Sequence, residues 1–429
     1  MKKILCALLC LCMVFSLCAC AGQDAPGQQT AAPDGAGDAA AADTDGATAV
    51  DAASAEKQGA ELGDRVIIYT KKTQESYNGP DGSVILVFSY VTPRVRIDER
   101  AEVAEKINEQ LNLLEEAYIS GTGNEGGRNH LLESATDNFI YIHETGADLN
   151  KVFTSARTVR SMRADGSVVS FRFWTSVYTG GESGKHSYFG ISYDTQTGEK
   201  LTLDSLSPDP EAFKKALVEN LIALVREDII LSDEMSQAGI DAESALTAVV
   251  REGNWYFDTD GIVVFPAFGE LRAEDKGLPM FTVPYSALED LMYERYLPVK
   301  REGAGSLEIV RVGDVQDGTV ASIDRLVLSD EGEEMYLKVD GTVYDLRISS
   351  MYYVDQAEGD ERFYETDLHW YASYMSDCAL QLSAVVPNGM PDLMITYTDR
   401  DNVLQRRFLS ESGVDGGITL VDNTIEAVG

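Results

Sequence analysis

His143-Glu144-Thr145-Gly146-Ala147 opens as the zinc-protease pattern does, in which two histidines one helical turn apart hold the metal and the glutamate beside the first acts as base. Alanine stands where the second ligand belongs, so this stretch cannot build that site. Asp258-Thr259-Asp260-Gly261 begins like a calcium loop, which alternates oxygen ligands and ends in a bidentate glutamate. Ile262-Val263-Val264-Phe265 follows instead, and a hairpin turn accounts for the run. The remaining histidines, His130, His186 and His369, share no metal-ligand spacing, and nothing marks one nucleophile over another. No catalytic set, metal or cofactor is expected.

A third candidate is aromatic. In MYYVDQAEGDERFYETDLHWYASYM, Trp370, Tyr371 and Tyr374 stand close to Tyr352, Tyr353, Phe363 and Tyr364. Rings on a β scaffold can stack on sugars, which makes Trp370, Tyr371 and Tyr374 candidates for glycan binding; burial of the same rings in a core is the alternative.

The elements that must position these residues follow from pattern. VIIYT, SVILVFSYV and VRI read as strands, with Asn78-Gly79-Pro80-Asp81-Gly82 as the turn between the first two. Val103, Ile107, Leu111, Leu114 and Tyr118 recur at helical spacing, with Asp98 as the expected N-cap. After a less patterned section, GSVVSFRFWTSVYTGG returns to strand through an Asp165-Gly166 turn. KHSYFGISYD and KLTL flank Thr195-Gln196-Thr197-Gly198 as a hairpin, and Asp209-Pro210 opens a second helix with proline at its first position. Asp241 caps a third helix, a hairpin turns at Asp260-Gly261, PMFTVPY is a strand, and SALEDLMYERY a short helix. From about Arg301 onward, strand-like runs at close spacing with Asp-Gly and Asn-Gly turns predict a small β-sandwich or barrel.

The N-terminus sets the expected location. Lys2 and Lys3 precede an apolar run, Ile4 to Leu17, that is too short to cross a bilayer and reads as a secretory signal. Leu17-Cys18-Ala19-Cys20 resembles the bacterial lipoprotein box, which implies cleavage before Cys20 and a diacylglyceryl group on its sulfur. Cys6, Cys10, Cys12 and Cys18 would leave with the signal, so Cys378 is the one thiol of the folded part and stability rests on core burial. Residues 20–63, rich in Ala, Gly and Asp, cannot bury enough surface to order themselves and read as an acidic tether. The expected organisation is a signal over 1–19, this linker, mixed α/β units over 64–178 and 179–298, and a β-rich unit over 299–429. The expected fold class is α+β, antiparallel sheet with packed helices followed by the all-β part.

Across residues 65–297 the order of motifs resembles a known family. Tyr178, Gly180, Gly181, Tyr193, Asp194, Thr197, Gly198, Leu201, Leu203, Asp260, Gly261, Phe265, Pro284, Tyr285 and Leu288 carry it, with a looser match around Ile107-Asn108. It is similar to the extracytoplasmic domain pair of RsiV-type lysozyme-sensing anti-sigma factors and PdaC-type peptidoglycan deacetylases. Where that family has Gly-Gly-Ala-His, this chain spreads the pattern from Gly180 to His186 with Glu182-Ser183-Gly184-Lys185 between. The resemblance implies a sensing or binding role, with Gly180, Gly181, Glu182 and His186 as ligand-binding candidates and a lysozyme-like cationic protein as partner. Glu182 could pair with a Lys or Arg of such a partner.

A net charge of −36 over 429 residues fits a cationic partner and argues against nucleic acid or anionic lipid beyond the anchor. The expected protein is a lipid-anchored binding module on the outer face of a Gram-positive cytoplasmic membrane. A cell-wall glycan-binding protein, or an enzyme acting on peptidoglycan, are the alternatives.

Overall fold

β1 (Val66–Asn78) and β2 (Val84–Ile97) form a long antiparallel hairpin, paired from Val66 opposite Ile97 to Asn78 opposite Val84. Its turn closes through Gly79 N–H to the Ser83 carbonyl at 2.8 Å, and Asp81 Oδ1 accepts from Ser83 N–H at 2.9 Å. The expected separate strand VRI is the end of β2. The computed structural model describes residues 66–121, 127–147, 152–181, 184–298, 305–311, 326–327, 333–354, 362–372, 375–384, 393–398, 404–411, 418–422 and 426–427. The signal and linker assigned to 1–63 lie outside them.

Helix α1 (Ala101–Ser120) begins two residues later than an Asp98 cap would place it. Arg100 is the N-cap and gives no side-chain bond, because Glu99 takes a left-handed φ of 63° in a turn that closes from Arg100 N–H to the Ile97 carbonyl. Asp98 pairs with Arg96 at 3.6 Å instead. The helix is held to β2 by Asn108, whose amide donates to the Val95 carbonyl and accepts from its N–H, each at 2.8 Å. Helix α2 (Arg128–Thr145) fills the less patterned section, burying Leu131, Ala135, Phe139 and Ile142. The chain then crosses to β3 (Phe153–Ala164), which runs parallel to β2. β4 (Val168–Tyr178) and β5 (Lys185–Asp194) complete this side of the sheet in antiparallel pairs.

Helices α3 (Pro210–Glu227), α4 (Ile229–Gln237) and α5 (Ala242–Val249) come next. Asp209 accepts from Ala212 N–H with Pro210 in the first turn, and Asp241 accepts from Ser244 N–H, as expected of these caps. A separate three-stranded sheet, β6 (Trp255–Phe257), β7 (Gly261–Val264) and β8 (Phe281–Pro284), packs with these helices around Phe213, Leu217, Leu221, Phe257 and Val283. The expected strand KLTL pairs with β5 through a single bridge, Lys200 opposite Tyr193, before a 3-10 turn at Leu203–Leu206, and the stretch expected as the helix SALEDLMYERY holds 3-10 turns at Tyr285–Ala287 and Glu294–Tyr296. Ser205 satisfies the first reciprocally with Thr202, which stops the backbone short of a strand.

The C-terminal strands include β9 (Gly305–Arg311), β10 (Leu326–Val327), β11 (Glu333–Val354), β12 (Arg362–Ala372), β13 (Met375–Ala384), β14 (Leu393–Thr398), β15 (Leu404–Glu411), β16 (Ile418–Asp422) and β17 (Glu426–Ala427). They form a curled half-barrel that is antiparallel apart from the short β10 and β17, which pair in parallel with β13 and β12. β11 produces the curl: its pairing shifts register between Val339 and Thr342, Tyr344 and Arg347, and Ile348 and Ser349, and Asp345 has φ 50°. Such irregularities bend a strand, which lets β11 pair with β9 and β13 at one end and with β12 and β14 at the other.

β12 pairs with β1, Val66 opposite Ala372 to Tyr69 opposite His369, so one sheet runs β16-β15-β14-β11-β12-β1-β2-β3-β4-β5. The α+β class holds, and strands from all three expected units share this sheet. Side-chain alternation on β1 separates two cores: Ile68 joins the layer under α1, and Ile67 joins the half-barrel core with Leu337, Leu346, Ile348 and Ile395.

Candidate aromatic site at the sheet edge

β4 and β5 place the functional candidates by parity. Phe171, Phe173, Phe189 and Ile191 face the layer that holds Ile107 and Leu111 of α1. Arg172, Trp174 and Ser176 lie on the opposite face, directly across from Gly190, Tyr188 and His186. Glycine at 190 is required by proximity: a methyl group there would stand 1.9 Å from the Trp255 carbonyl oxygen. The backbone of the small sheet therefore lies against this half of β5, and Gly190 N–H donates to the Gly253 carbonyl at 2.8 Å. Ser170 Oγ, shared with Ser192 Oγ at 2.8 Å, accepts from Phe257 N–H at 2.9 Å and fixes the same junction.

Beyond this junction the face opens into a half-buried aromatic shelf. The His186 ring is stacked on Trp174 with centroids 5.6 Å apart and planes 10° from parallel. Phe268 lies 5.9 Å from His186 and stacks on Tyr188 at 5.9 Å. Tyr188 also meets Phe265 edge-on at 6.2 Å, and the Arg172 guanidinium sits 5.4 Å over the Tyr188 ring. Burial holds the His186 imidazole below its usual pKa, with Glu274 pulling the other way. Glu274 is exposed, and among the described residues no cation pairs with its carboxylate. An aromatic face beside a carboxylate can hold a lysine or arginine through cation–π and charge-assisted contacts.

The structure brings some expected site residues here and leaves others apart. Gly180 turns the chain out of β4 with φ 86°, Gly181 is exposed, and His186 is on the shelf. Glu182 lies outside the described residues, as do Cys20 and Tyr374. Trp370 and Tyr371 belong to an interior strand, opposite Ile68 and Ile67 on one side and Arg347 and Leu346 on the other. Their strand lies across the sheet from β5, so the aromatic cluster of the sequence and the shelf are two places. His143 closes α2, bonding the Phe139 carbonyl at 3.1 Å and lying 3.5 Å from Asp81. Asp258 and Asp260 frame the β6–β7 hairpin.

Trp174, Tyr188, Phe268 and Arg172 were missed from sequence. In SFRFWTSVY the alternation carries apolar residues on both parities, and Trp174 on the parity of Arg172 and Ser176 was the available signal. Several residues of the family-like motif have structural work instead. Asp194 Oδ1 accepts from Gln196 and Thr197 N–H at 2.7 and 3.0 Å, and its Oδ2 accepts from the Tyr296 hydroxyl at 3.1 Å.

No family model matches the chain, and no curated protein matches it. Among solved structures, the chain is similar to a member of the DUF3298 family from Bacteroides fragilis at 14% identity and TM-score 0.39, over 55% of this chain and 96% of that one. A DUF3298 family protein from Pseudomonas aeruginosa is similar at 12% identity and TM-score 0.35, over 53% of this chain and 96% of the other.

Proposed function

We propose that this chain is a lipid-anchored extracytoplasmic binding module, related to the RsiV and PdaC domain pair, that captures a cationic protein of the lysozyme kind at the β4–β5 end of its sheet. The observation that carries this is the Glu274 carboxylate, with which no cation among the described residues pairs, beside the half-buried rings of Trp174, Tyr188 and Phe268 and the exposed ring of His186. A basic side chain entering there gains a counter-ion and an aromatic face together, and the net charge of −36 draws such a partner from a distance. The lipoprotein-like Leu17-Cys18-Ala19-Cys20 and the acidic stretch after it support attachment at Cys20.

Titration calorimetry of the protein with hen-type lysozyme, at low and near-physiological salt, tests the ligand. Binding is expected to weaken as salt shortens the screening length toward about 8 Å. Glu274→Lys, alone and with Glu182→Lys, is expected to weaken it at least tenfold. No heat at either salt removes the cationic-protein reading, and indifference to both variants moves the site elsewhere. Anchoring is tested separately: a Cys20→Ser protein that still takes up an acyl label removes it. A glycan reading is favoured by the same rings and would be supported by chitohexaose binding that Trp174→Ala abolishes.

A further inference from the structure

Among the described residues β5 is the last strand of the sheet, and they cover its outer edge along only part of its length. The pairing identifies which main-chain groups point outward. Gly190 N–H donates to Gly253, the Ser192 carbonyl accepts from Leu201 N–H at 2.8 Å, and Asp194 N–H donates to the Glu199 carbonyl at 2.9 Å. Even-numbered residues therefore sit in the non-hydrogen-bonded pairs with β4 and turn their N–H and C=O groups away from it. By the same alternation the main-chain N–H and C=O of His186 and Tyr188 also point outward. No described residue hydrogen-bonds them, and His186 and Ser187 are exposed.

We infer that this open segment accepts a strand: an extended, lysine-bearing segment of the partner adds antiparallel or parallel to β5 along His186–Tyr188. Main-chain bonds to His186 and Tyr188 would supply affinity, and alternate side chains of the added strand would fall on the Trp174, His186 and Phe268 rings beside Glu274. The junction at Gly190 ends the docking segment, because from there the edge belongs to the chain's own backbone. The charge of the partner rests on the function proposed above; the strand geometry does not.

The test uses the whole protein and a synthetic peptide, acetyl-Lys-Val-Lys-Tyr-Lys-Val-Lys-amide, with two isomers N-methylated at alternate residues. A strand paired along one edge presents every second N–H to its neighbour. One isomer is expected to lose at least thirtyfold in affinity while the other stays within threefold of the parent. His186→Pro, which removes one outward N–H at an edge position that tolerates proline, is expected to weaken the parent peptide at least tenfold beyond His186→Val. Equal binding of both isomers overturns strand addition, as does failure of the parent peptide to bind. If the peptide fails while lysozyme binds, only this inference falls; if lysozyme fails while the peptide binds with the expected asymmetry, only the lysozyme proposal falls. Chitohexaose binding that Trp174→Ala abolishes, without any peptide binding, assigns the shelf to glycan and overturns the inference.

Discussion

Arg163 Nη1 donates to the Tyr285 hydroxyl at 2.9 Å, joining the end of β3 to a turn 122 residues further along the chain. Nη1 also donates to the Tyr296 carbonyl at 2.7 Å, Nε to Asp165 Oδ2 at 2.7 Å, and Nη2 to the Leu297 carbonyl at 3.3 Å. The guanidinium lies 5.3 Å over Phe257 and 5.4 Å over Tyr285. Burial alone would lower its pKa, but Asp165 and the Tyr285 hydroxyl push it upward, so the group stays charged inside the protein. This one cation ties the large sheet to the small sheet and the turns after it.

Tyr285→Phe removes the acceptor for Arg163 and the hydroxyl's own 2.6 Å donation to the Asp258 carbonyl. The expected loss is about 2–3 kcal/mol, since one bond is charge-assisted and both lie in low dielectric. Urea denaturation measures it. Arg163→Lys is expected to cost at least as much, because an ammonium cannot reach the forked set of acceptors.

Gly190→Ala is expected to destabilise by about 3 kcal/mol or more, because a methyl group 1.9 Å from the Trp255 carbonyl forces the two sheets apart. A melting temperature lowered by only a degree or so would show that the contact yields easily.

Asp258 carries a carboxyl whose pKa is raised above its ordinary 3.8 by burial, with Arg347 of β11 opposing. The folded state thus holds the proton more tightly than the unfolded one. That contribution is complete below the ordinary value of 3.8 and is lost as pH rises through the raised folded value. Asp258→Asn keeps an acceptor for the Thr259 N–H at 2.7 Å and stays neutral. It is expected to be more stable than the parent at pH 7, the difference closing toward pH 4, when unfolding is followed across that range.

Ile67→Ala and Ile68→Ala remove neighbouring side chains from different cores, each 1% exposed. Each is expected to cost about 2–4 kcal/mol. Both are expected to lower the midpoint of a single transition, because β1 is hydrogen-bonded to β2 on one side and β12 on the other. Two resolved transitions would show that the half-barrel unfolds apart from the rest.

Local chemistry was legible in the sequence wherever a residue acts on its own neighbours. Asp209 and Asp241 cap helices three residues on, Asp165 and Asp194 close turns within three residues, and Asp81 does the same for the first hairpin. These outcomes depend on a carboxylate reaching nearby N–H groups, which spacing alone settles. Asp98 shows the limit: a left-handed Glu99 and a turn at Ile97–Arg100 displaced the helix start.

Long-range pairing was decided by the tertiary structure. Nothing in VIIYT announces that Ile67 and Ile68 will lie between Arg96 and Val95 on one side and Tyr371 and Trp370 on the other. A strand's pattern records that its faces are buried, not which strand takes its edge. For the same reason the sequence shows His186, Trp174, Tyr188 and Phe268 only as residues of separate segments. They come together because Gly190 lets the Trp255 backbone close over half of β5, while no described residue bonds the main chain of His186 and Tyr188 on the other half.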